Sequence, residues 1–254
     1  ISADSRQVYK HIPIATSYPS GEDLNSIKHY FIGELELNES FNSGEFGKKG
    51  REIIEGIFIK NKIPLIAGGS GLYVRSIIDG FFENETDINS EAKLIRDDLY
   101  VKLENFGEDY LYNELKKIDK VTFDKIPKGK IRRVIRALEV YYASGKKISE
   151  FHDENAEINF TSVQVGLMLD RKYLYERINK RVDVMIENGL IDEVKSLSEK
   201  GLHYRNCNSL NTVGIKEVFE FFEKEYDYET MLTMIKQNTR RYAKRQMTWF
   251  RKDN

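Results

Sequence analysis

The stretch KIPLIAGGSGLYVRSIIDG, residues 62–80, constrains the fold more than any other part of the chain. Ile63–Ala67 is a short apolar run suited to a central parallel strand, Gly68-Gly69-Ser70-Gly71 reads as a turn, and Leu72–Ile78 begins a helix. Strand, turn and helix form the unit of an open α/β sheet, whose ligands sit at the carboxyl ends of the strands. The opening ISADSRQVY fits the same scheme. Ile1–Ala3 reads as the end of a buried strand, which would set Asp4, Ser5, Arg6 and Gln7 on the same edge as Ser70. Three glycines in four positions let backbone N–H groups converge on an anion at a helix N-terminus. A tight strand-to-helix connection also needs glycine on its own account, and the pattern is neither a dinucleotide fingerprint nor a Walker A loop. The sequence is compatible with both readings.

Elsewhere helical spacing dominates. Phe46–Asn61 carries Phe46, Ile53, Ile54, Ile57 and Phe58 on an amphipathic face. From about Asn84 to Phe151 the pattern is helix only and dense in charge, which suggests a helical insertion over residues 84–158. It would be carried on an α/β core of residues 1–83 and 159–254. Val163–Leu169 (VQVGLML) reads as a returning strand. A helical stretch follows, with Leu174, Ile178, Val182, Met185 and Ile186 on one stripe and Gly189 and Gly201 as stops. The last helix is predicted from about Glu229 to Phe250.

At 254 residues with 40% hydrophobic content, the chain can bury one large core or two unequal ones. No apolar run approaches the roughly 18 residues of a membrane span, and no signal peptide is evident, so no membrane partner and a cytoplasmic location are expected. The single Cys207 reads as a core thiol, and the four scattered histidines lack metal-ligand spacing. The net charge of -1 conceals strong segregation. Residues 83–119 hold five basic and eleven acidic side chains, residues 120–147 nine and two, and residues 230–252 seven and none.

Three basic groupings follow from this. Arg177 and Arg181, spaced i, i+4, put two guanidiniums on one helix face, an arrangement suited either to a polyphosphate or to ion pairing on a surface. KGKIRRVIRALEVYYASG sets Arg132, Arg133 and Arg136 against an apolar stripe of Ile131, Val134, Leu138 and Tyr141. IKQNTRRYAKRQMTWFRK places Arg240 and Lys244 on one ridge and Arg241 and Arg245 on the next, with Ile235, Tyr242 and Trp249 as a packing seam. Two basic helical faces on a chain of balanced charge suit a nucleic-acid backbone.

In order along the chain, DSRQVY, IPLIAGGSGLY, RRVIRALEVYYASGK, LYERINKRVDVMIENGLIDEV, LNTVGIKEV and QNTRRYAKRQMTWFRK resemble the bacterial tRNA dimethylallyltransferases, also called tRNA isopentenyltransferases. The resemblance implies transfer of a dimethylallyl group from dimethylallyl diphosphate to N6 of the adenosine 3′ of the anticodon, with Mg²⁺. It implies a P-loop NTPase-like parallel-sheet core that binds nucleotide and a helical insertion that grips the tRNA anticodon stem-loop; a monomer is expected. Asp4 is similar to the family's general base. Ser5, Arg6 and Gln7 match its tRNA-contacting stretch, Ser70 stands where threonine is usual, and Arg181 matches the diphosphate arginine. The i, i+4 spacing adds Arg177, and the glycine turn adds Gly69, as candidates beside the diphosphate. The resemblance puts Lys93, Arg132, Arg133, Val134, Ile135, Arg136, Asn211, Thr212, Val213, Gly214, Ile215 and Lys216 on the tRNA, and the basic face of the last helix adds Arg241, Lys244 and Arg245. The family's phosphate-binding loop lies upstream of the aspartate motif. The chain begins after that point, so the first strand, the loop lysine and the Mg²⁺-binding hydroxyl are expected to be missing and no residue is assigned to metal.

Chemically, alkylating N6 requires a proton to leave, and a carboxylate hydrogen-bonded to the amine can accept it. Departing diphosphate gathers negative charge that arginines and glycine-loop amides stabilise. The adenosine is expected to flip out of its stack, and an amide such as Gln7 can donate to and accept from its edge. Three other readings are a fragment that binds RNA without catalysis, an enzyme prenylating free adenine nucleotides, and a nucleotide kinase of related fold.

Overall fold

The computed structural model describes residues 1–80, 90–151 and 158–252. In chain order the helices are α1 (Pro13–Thr16), α2 (Gly21–Ser26), α3 (Ser43–Phe58), α4 (Gly71–Ile78), α5 (Ser90–Phe106), α6 (Glu108–Ile118), α7 (Lys120–Lys125), α8 (Ile131–Ser144), α9 (Ile148–Phe151), α10 (Arg171–Glu187), α11 (Leu190–Glu199), α12 (Ile215–Phe222) and α13 (Tyr228–Phe250). They fall into two compact units. One comprises Ile1–Phe41, Lys60–Val74 and Ser162–Asn254, the other Asn42–Ile59 and Arg75–Thr161, and the division falls within α4. The expected start of the insertion, near Asn84, lies outside the described residues.

The helices form where capping and periodicity agree. Asn42 accepts the Gly44 and Glu45 N–H groups at 2.9 and 3.0 Å while the Glu45 carboxylate accepts the Asn42 N–H, a reciprocal cap for α3. Asp170 caps α10 and Asp227 caps α13 through the Lys172 and Thr230 amides. Gly189, at φ 94°, allows the chain to leave α10 and enter α11 through a left-handed turn that a residue with a Cβ adopts only under strain.

In the first unit Ile178, Val182 and Met185 of the predicted stripe are buried with Leu190, Val194 and Leu197 of α11. Ile215, Val218 and Phe219 of α12 and Met231 and Ile235 of α13 join this core. Cys207 is buried as expected, its thiol donating to Leu37 O at 3.0 Å. The β structure departs from expectation. Among the described residues, pairing is limited to two isolated parallel bridges, Ser2 with Ala67 and Tyr9 with Leu35. The predicted strand over 63–67 contributes one bridge residue, and the predicted strand over 163–169 forms none. A central strand needs ladder partners on its edges and layers on both faces. Here Ile63 is 92% exposed, Leu167 is 96% exposed, and Val163 and Val165 are also exposed. Among the described residues, the parallel sheet expected of the core is represented only by this short local pairing.

The second unit is helical throughout its described part. Leu99, Leu111, Leu115, Val134, Ile135, Leu138 and Val140 form its core, with α5 and α6 packed on α8. One carboxylate is committed to this packing. Glu139 on α8 is 1% exposed, receives a bidentate pair from Arg96 on α5 (2.8 Å for both bonds), and accepts from Arg136 at 2.8 Å. Removing it would leave two guanidiniums facing an uncharged wall. Glu139→Ala is expected to cost about 3 kcal/mol, the lower end of the range because Arg96 is half solvated. Hydrogen–deuterium exchange across α5 and α8, which reads this unit alone, should show the loss, while Glu139→Gln should lose less.

Candidate active site

The acidic turn at the start of the chain is built by the short parallel pairing. Ala67 N–H donates to Ile1 O at 3.1 Å, Ala3 N–H to Ala67 O at 2.8 Å, and Ser70 N–H to Ala3 O at 3.0 Å. These bonds hold the Gly68–Gly71 turn on the end of residues 1–3, so Asp4 and Ser70 share one edge as the sequence predicts. Asp4 is half-buried. Its Oδ1 accepts the Arg6 N–H at 2.8 Å and, more weakly, the Gln7 N–H at 3.4 Å, an Asx turn that fixes the carboxylate. Oδ2 receives no hydrogen bond from the described residues. Ser5 N–H donates to Ser70 Oγ at 3.2 Å, which ties the turn to the glycine loop.

The next two side chains are used internally. Arg6 donates to Asn208 O at 2.8 Å and Asn211 O at 3.3 Å, tethering the loop that leads into α12. Gln7 donates through Nε2 to Thr16 O at 3.1 Å and Ser17 O at 2.9 Å, and its Oε1 accepts the Ser2 hydroxyl at 2.7 Å. Both amide donors and the amide oxygen are thus engaged with the protein.

The C-terminal helix closes over the glycine turn, which the sequence did not disclose. Gln246 donates to Gly69 O at 2.9 Å. A Cβ at Gly69 would collide with the Gln246 amide, one at Gly71 with the Trp249 indole, and one at Gly68 with the Ala3 backbone. The close approach that demands glycine at Gly69 and Gly71 is therefore made by α13 itself. Tyr242, one turn before Gln246, faces the same loop. Burial, then the charge of Asp4, push its phenol above the ordinary range, with Ser70, Arg6 and Arg245 opposing. The phenol is therefore neutral at physiological pH. The Arg245 guanidinium lies over the Tyr242 ring at 5.5 Å. Tyr242 and Trp249 are 41% and 38% exposed, so the predicted seam packs fully only at Ile235. The sequence cue, recognisable afterwards, is the polar Gln246 between two aromatics at i, i+4, i+7 spacing.

Arg177 and Arg181 lie exposed on α10, and no carboxylate among the described residues pairs with either. α10 is fixed to α13 through Lys236–Asp183 at 2.5 Å and Arg240–Asn179 at 2.7 Å, with Arg240 also over the Tyr175 ring. Arg241 donates to Asn238 at 3.1 Å, and Lys244 is exposed. In the 211–216 stretch, Asn211 is exposed, Thr212 and Val213 are half-buried, Gly214 and Ile215 are buried, and Lys216 pairs with Glu220 at 3.3 Å. Glu217 accepts both Gly214 N–H and Asn238 Nδ2 at 2.7 Å, joining this stretch to α13. In the second unit Lys93, Arg132 and Arg133 are exposed, Arg136 is engaged by Glu139, and Val134 and Ile135 are core residues at 0% and 2% exposure. Among the described residues no group of three or more His, Cys, Asp or Glu side chains is placed to hold a metal ion. No helix among them is long and apolar enough to cross a membrane.

Residues 7–253 match the family model described as IPP transferase. The chain belongs to the tRNA dimethylallyltransferase family. Relatives bear this out along the whole chain. The tRNA dimethylallyltransferase of Halothermothrix orenii is 42% identical, covering 100% of this chain and 76% of its own length. That of Christiangramia forsetii is 41% identical, covering 100% and 82%. Among solved structures, the tRNA isopentenylpyrophosphate transferase of Bacillus halodurans superposes with a TM-score of 0.67 at 34% identity, covering 98% of this chain and 77% of that one. A eukaryotic dimethylallyltransferase acting on tRNA gives a TM-score of 0.76 at 28% identity over 98% of this chain and 62% of that one.

The glycine contacts rank the cost of filling each position. Gly68 faces rigid backbone, whereas Gly69 faces the flexible end of Gln246. Gly68→Ala is expected to destabilise the first unit by about 3 kcal/mol, and Gly69→Ala by about 1 kcal/mol, the worth of one lost hydrogen bond. Trp249 fluorescence during urea unfolding measures both, and equal costs would contradict the packing described.

Proposed function

We propose that the protein transfers the dimethylallyl group of dimethylallyl diphosphate to N6 of the adenosine 3′ of the anticodon in tRNA, with Asp4 as general base. The observation that carries this reading is the asymmetry of the Asp4 carboxylate: Oδ1 is held by two backbone amides while Oδ2 receives no hydrogen bond from the described residues. A base must be oriented yet keep one oxygen for the proton it takes. In the transfer, the bond from the allylic carbon to the diphosphate oxygen breaks, its electron pair leaving with the diphosphate. The N6 lone pair forms the new C–N bond and the N6 proton passes to Asp4 Oδ2. Relatives named for this reaction support the same reading.

Arg177 and Arg181 are the proposed diphosphate ligands. They are exposed, adjacent on one face of α10 and without a counter-charge among the described residues, so they can give bidentate donors to phosphate oxygens. They and Asp4 are proposed to face one cavity. Gly69 would contribute its backbone N–H. Mg²⁺ is the proposed companion of the diphosphate. The proposed tRNA surface uses Ser5 and Ser70 beside the base, the 211–216 stretch, Arg241, Lys244 and Arg245 of α13, and Lys93, Arg132, Arg133 and Arg136 of the helical insertion. Val134 and Ile135 would serve by holding the α8 backbone. The protein is proposed to act in the cytoplasm as a monomer.

Given dimethylallyl diphosphate, Mg²⁺ and an anticodon stem-loop, the protein should form N6-prenylated adenosine. Asp4→Asn should lower turnover by about a hundredfold or more with little change in stem-loop affinity, and a variant as fast as wild type would refute the base assignment. Lys244→Ala with Arg245→Ala should weaken binding and flatten the plot of log affinity against log salt by about one to two. A slope equal to wild type would remove α13 from the RNA surface.

A further inference from the structure

The Asp4 carboxylate is oriented by backbone, and that backbone is itself held by α1. Asp4 Oδ1 accepts the Arg6 and Gln7 N–H groups, so the place of residue 7 sets where the carboxylate stands. Gln7 is fixed through its side chain: Nε2 donates to Thr16 O at 3.1 Å and Ser17 O at 2.9 Å, and Oε1 accepts the Ser2 hydroxyl. Thr16 is the last residue of α1 and Ser17 its C-cap. Whatever holds α1 therefore bears on Asp4.

A helix of four residues has no stability of its own. Its N-cap position is Ile12, whose side chain offers no acceptor to the N–H groups of the first turn. The acceptor comes from α11. Glu193 lies 179 residues beyond Ile14 in sequence, and its carboxylate takes Ile14 N–H at 2.8 Å on one oxygen and Ala15 N–H at 3.0 Å on the other. Both bonds are charge-assisted, and the negative charge sits where the peptide dipoles of the turn favour it. Leu190, Val194 and Leu197 bury the same helix in the core, so the carboxylate projects from a rigid element. The far end of α1 is tied separately, Tyr18 donating its hydroxyl to Tyr9 O. Release of the near end would therefore swing α1 about Tyr18, with Gln7 attached, rather than unfold the unit.

We propose that Glu193 is a positioning residue of the transfer site, holding the first turn of α1 so that Gln7 and, through it, the Asp4 carboxylate stay aligned with N6. This inference rests on the Asp4 reading. Glu193 acts on the chemical step alone, because a displaced base leaves the contacts to tRNA and diphosphate in place.

The test compares wild type, Glu193→Gln, Gln7→Met, the double variant and Asp4→Asn by single-turnover prenyl transfer to an anticodon stem-loop. Stem-loop affinity and urea unfolding, followed by Trp249 fluorescence, are measured on each. Glu193→Gln has the same shape and keeps one acceptor oxygen, but turns an N–H donor toward the second amide. In folded protein it should slow transfer about tenfold, with stem-loop affinity and the KM for dimethylallyl diphosphate unchanged. Gln7→Met cuts the same link at its other end and should slow transfer at least as much, and Glu193→Gln should then cost nothing further. Glu193→Asp, one carbon shorter with both oxygens kept, takes its place in the same cycle if Glu193→Gln unfolds. A Glu193 that serves stability alone would lower the unfolding midpoint and slow transfer by the same factor with or without Gln7, and that result overturns the proposal. So does a Glu193→Gln rate equal to wild type. Asp4→Asn separates the two readings: a slow Asp4→Asn beside an unimpaired Glu193→Gln sinks the positioning role alone, whereas an unimpaired Asp4→Asn sinks the base and this inference with it.

Discussion

The first unit depends on the exchange of backbone hydrogen bonds between residues 1–3 and residues 65–70. Ala3 is fully buried, Gly68 presses on its carbonyl, and Ser70 N–H reaches that same carbonyl. No larger residue at either place would let the segments meet. Because the pairing ends where Asp4 begins, it also sets the origin of the acidic turn. Asp4, Ser5 and Ser70 are consequently one structural object rather than three residues that happen to converge. The helix that closes over them obeys the same constraint, since only a turn without side chains at Gly69 and Gly71 can receive Gln246 and Trp249.

Charge distribution acquires meaning only after the internal claims on each cation are subtracted. Arg6 is consumed by two backbone carbonyls, Arg136 by Glu139, Lys216 by Glu220, Lys236 by Asp183, and Arg240 by Asn179 and the Tyr175 ring. These hold the fold. Arg132, Arg133, Arg177, Arg181 and Lys244 are exposed and have no such partner among the described residues. Uncompensated like charge on neighbouring helical turns raises the free energy of the folded protein, and an anionic ligand relieves it. The i, i+4 spacing that marked Arg177 and Arg181 therefore points to a ligand for a reason that it did not carry at Arg136, where a carboxylate three residues on takes up the charge.

Helices were legible in the sequence because their determinants are local. The stripe through Ile178, Val182 and Met185, the caps at Asn42, Asp170 and Asp227 and the break at Gly189 all lie within a few residues of the turns that they define. Strands carry no such local guarantee. Val163–Leu169 has the composition of a buried strand, but a ladder is completed by another segment, and none among the described residues pairs with it. The same holds for Ile63–Ala67, which pairs only through its last residues. Hydrophobic runs of this length state what a segment would bury, not which neighbour buries it.

Polar residues were harder to read than apolar ones, for a related reason. An amide in a motif advertises donors and an acceptor, but whether these are available depends on how many internal groups reach it first. Gln7 donates to the carbonyls of Thr16 and Ser17, so its recognition capacity is spent on holding the loop after α1. Tyr242 presents the opposite case. Its seven-residue spacing from Ile235 and Trp249 marks it as packing, yet it stays 41% exposed, because α13 meets the glycine turn one turn on instead of a deep core. Roles in a site follow from which hydrogen-bonding capacities survive folding, and that remainder is a property of three-dimensional neighbours that sit some 170 or more residues apart in this chain.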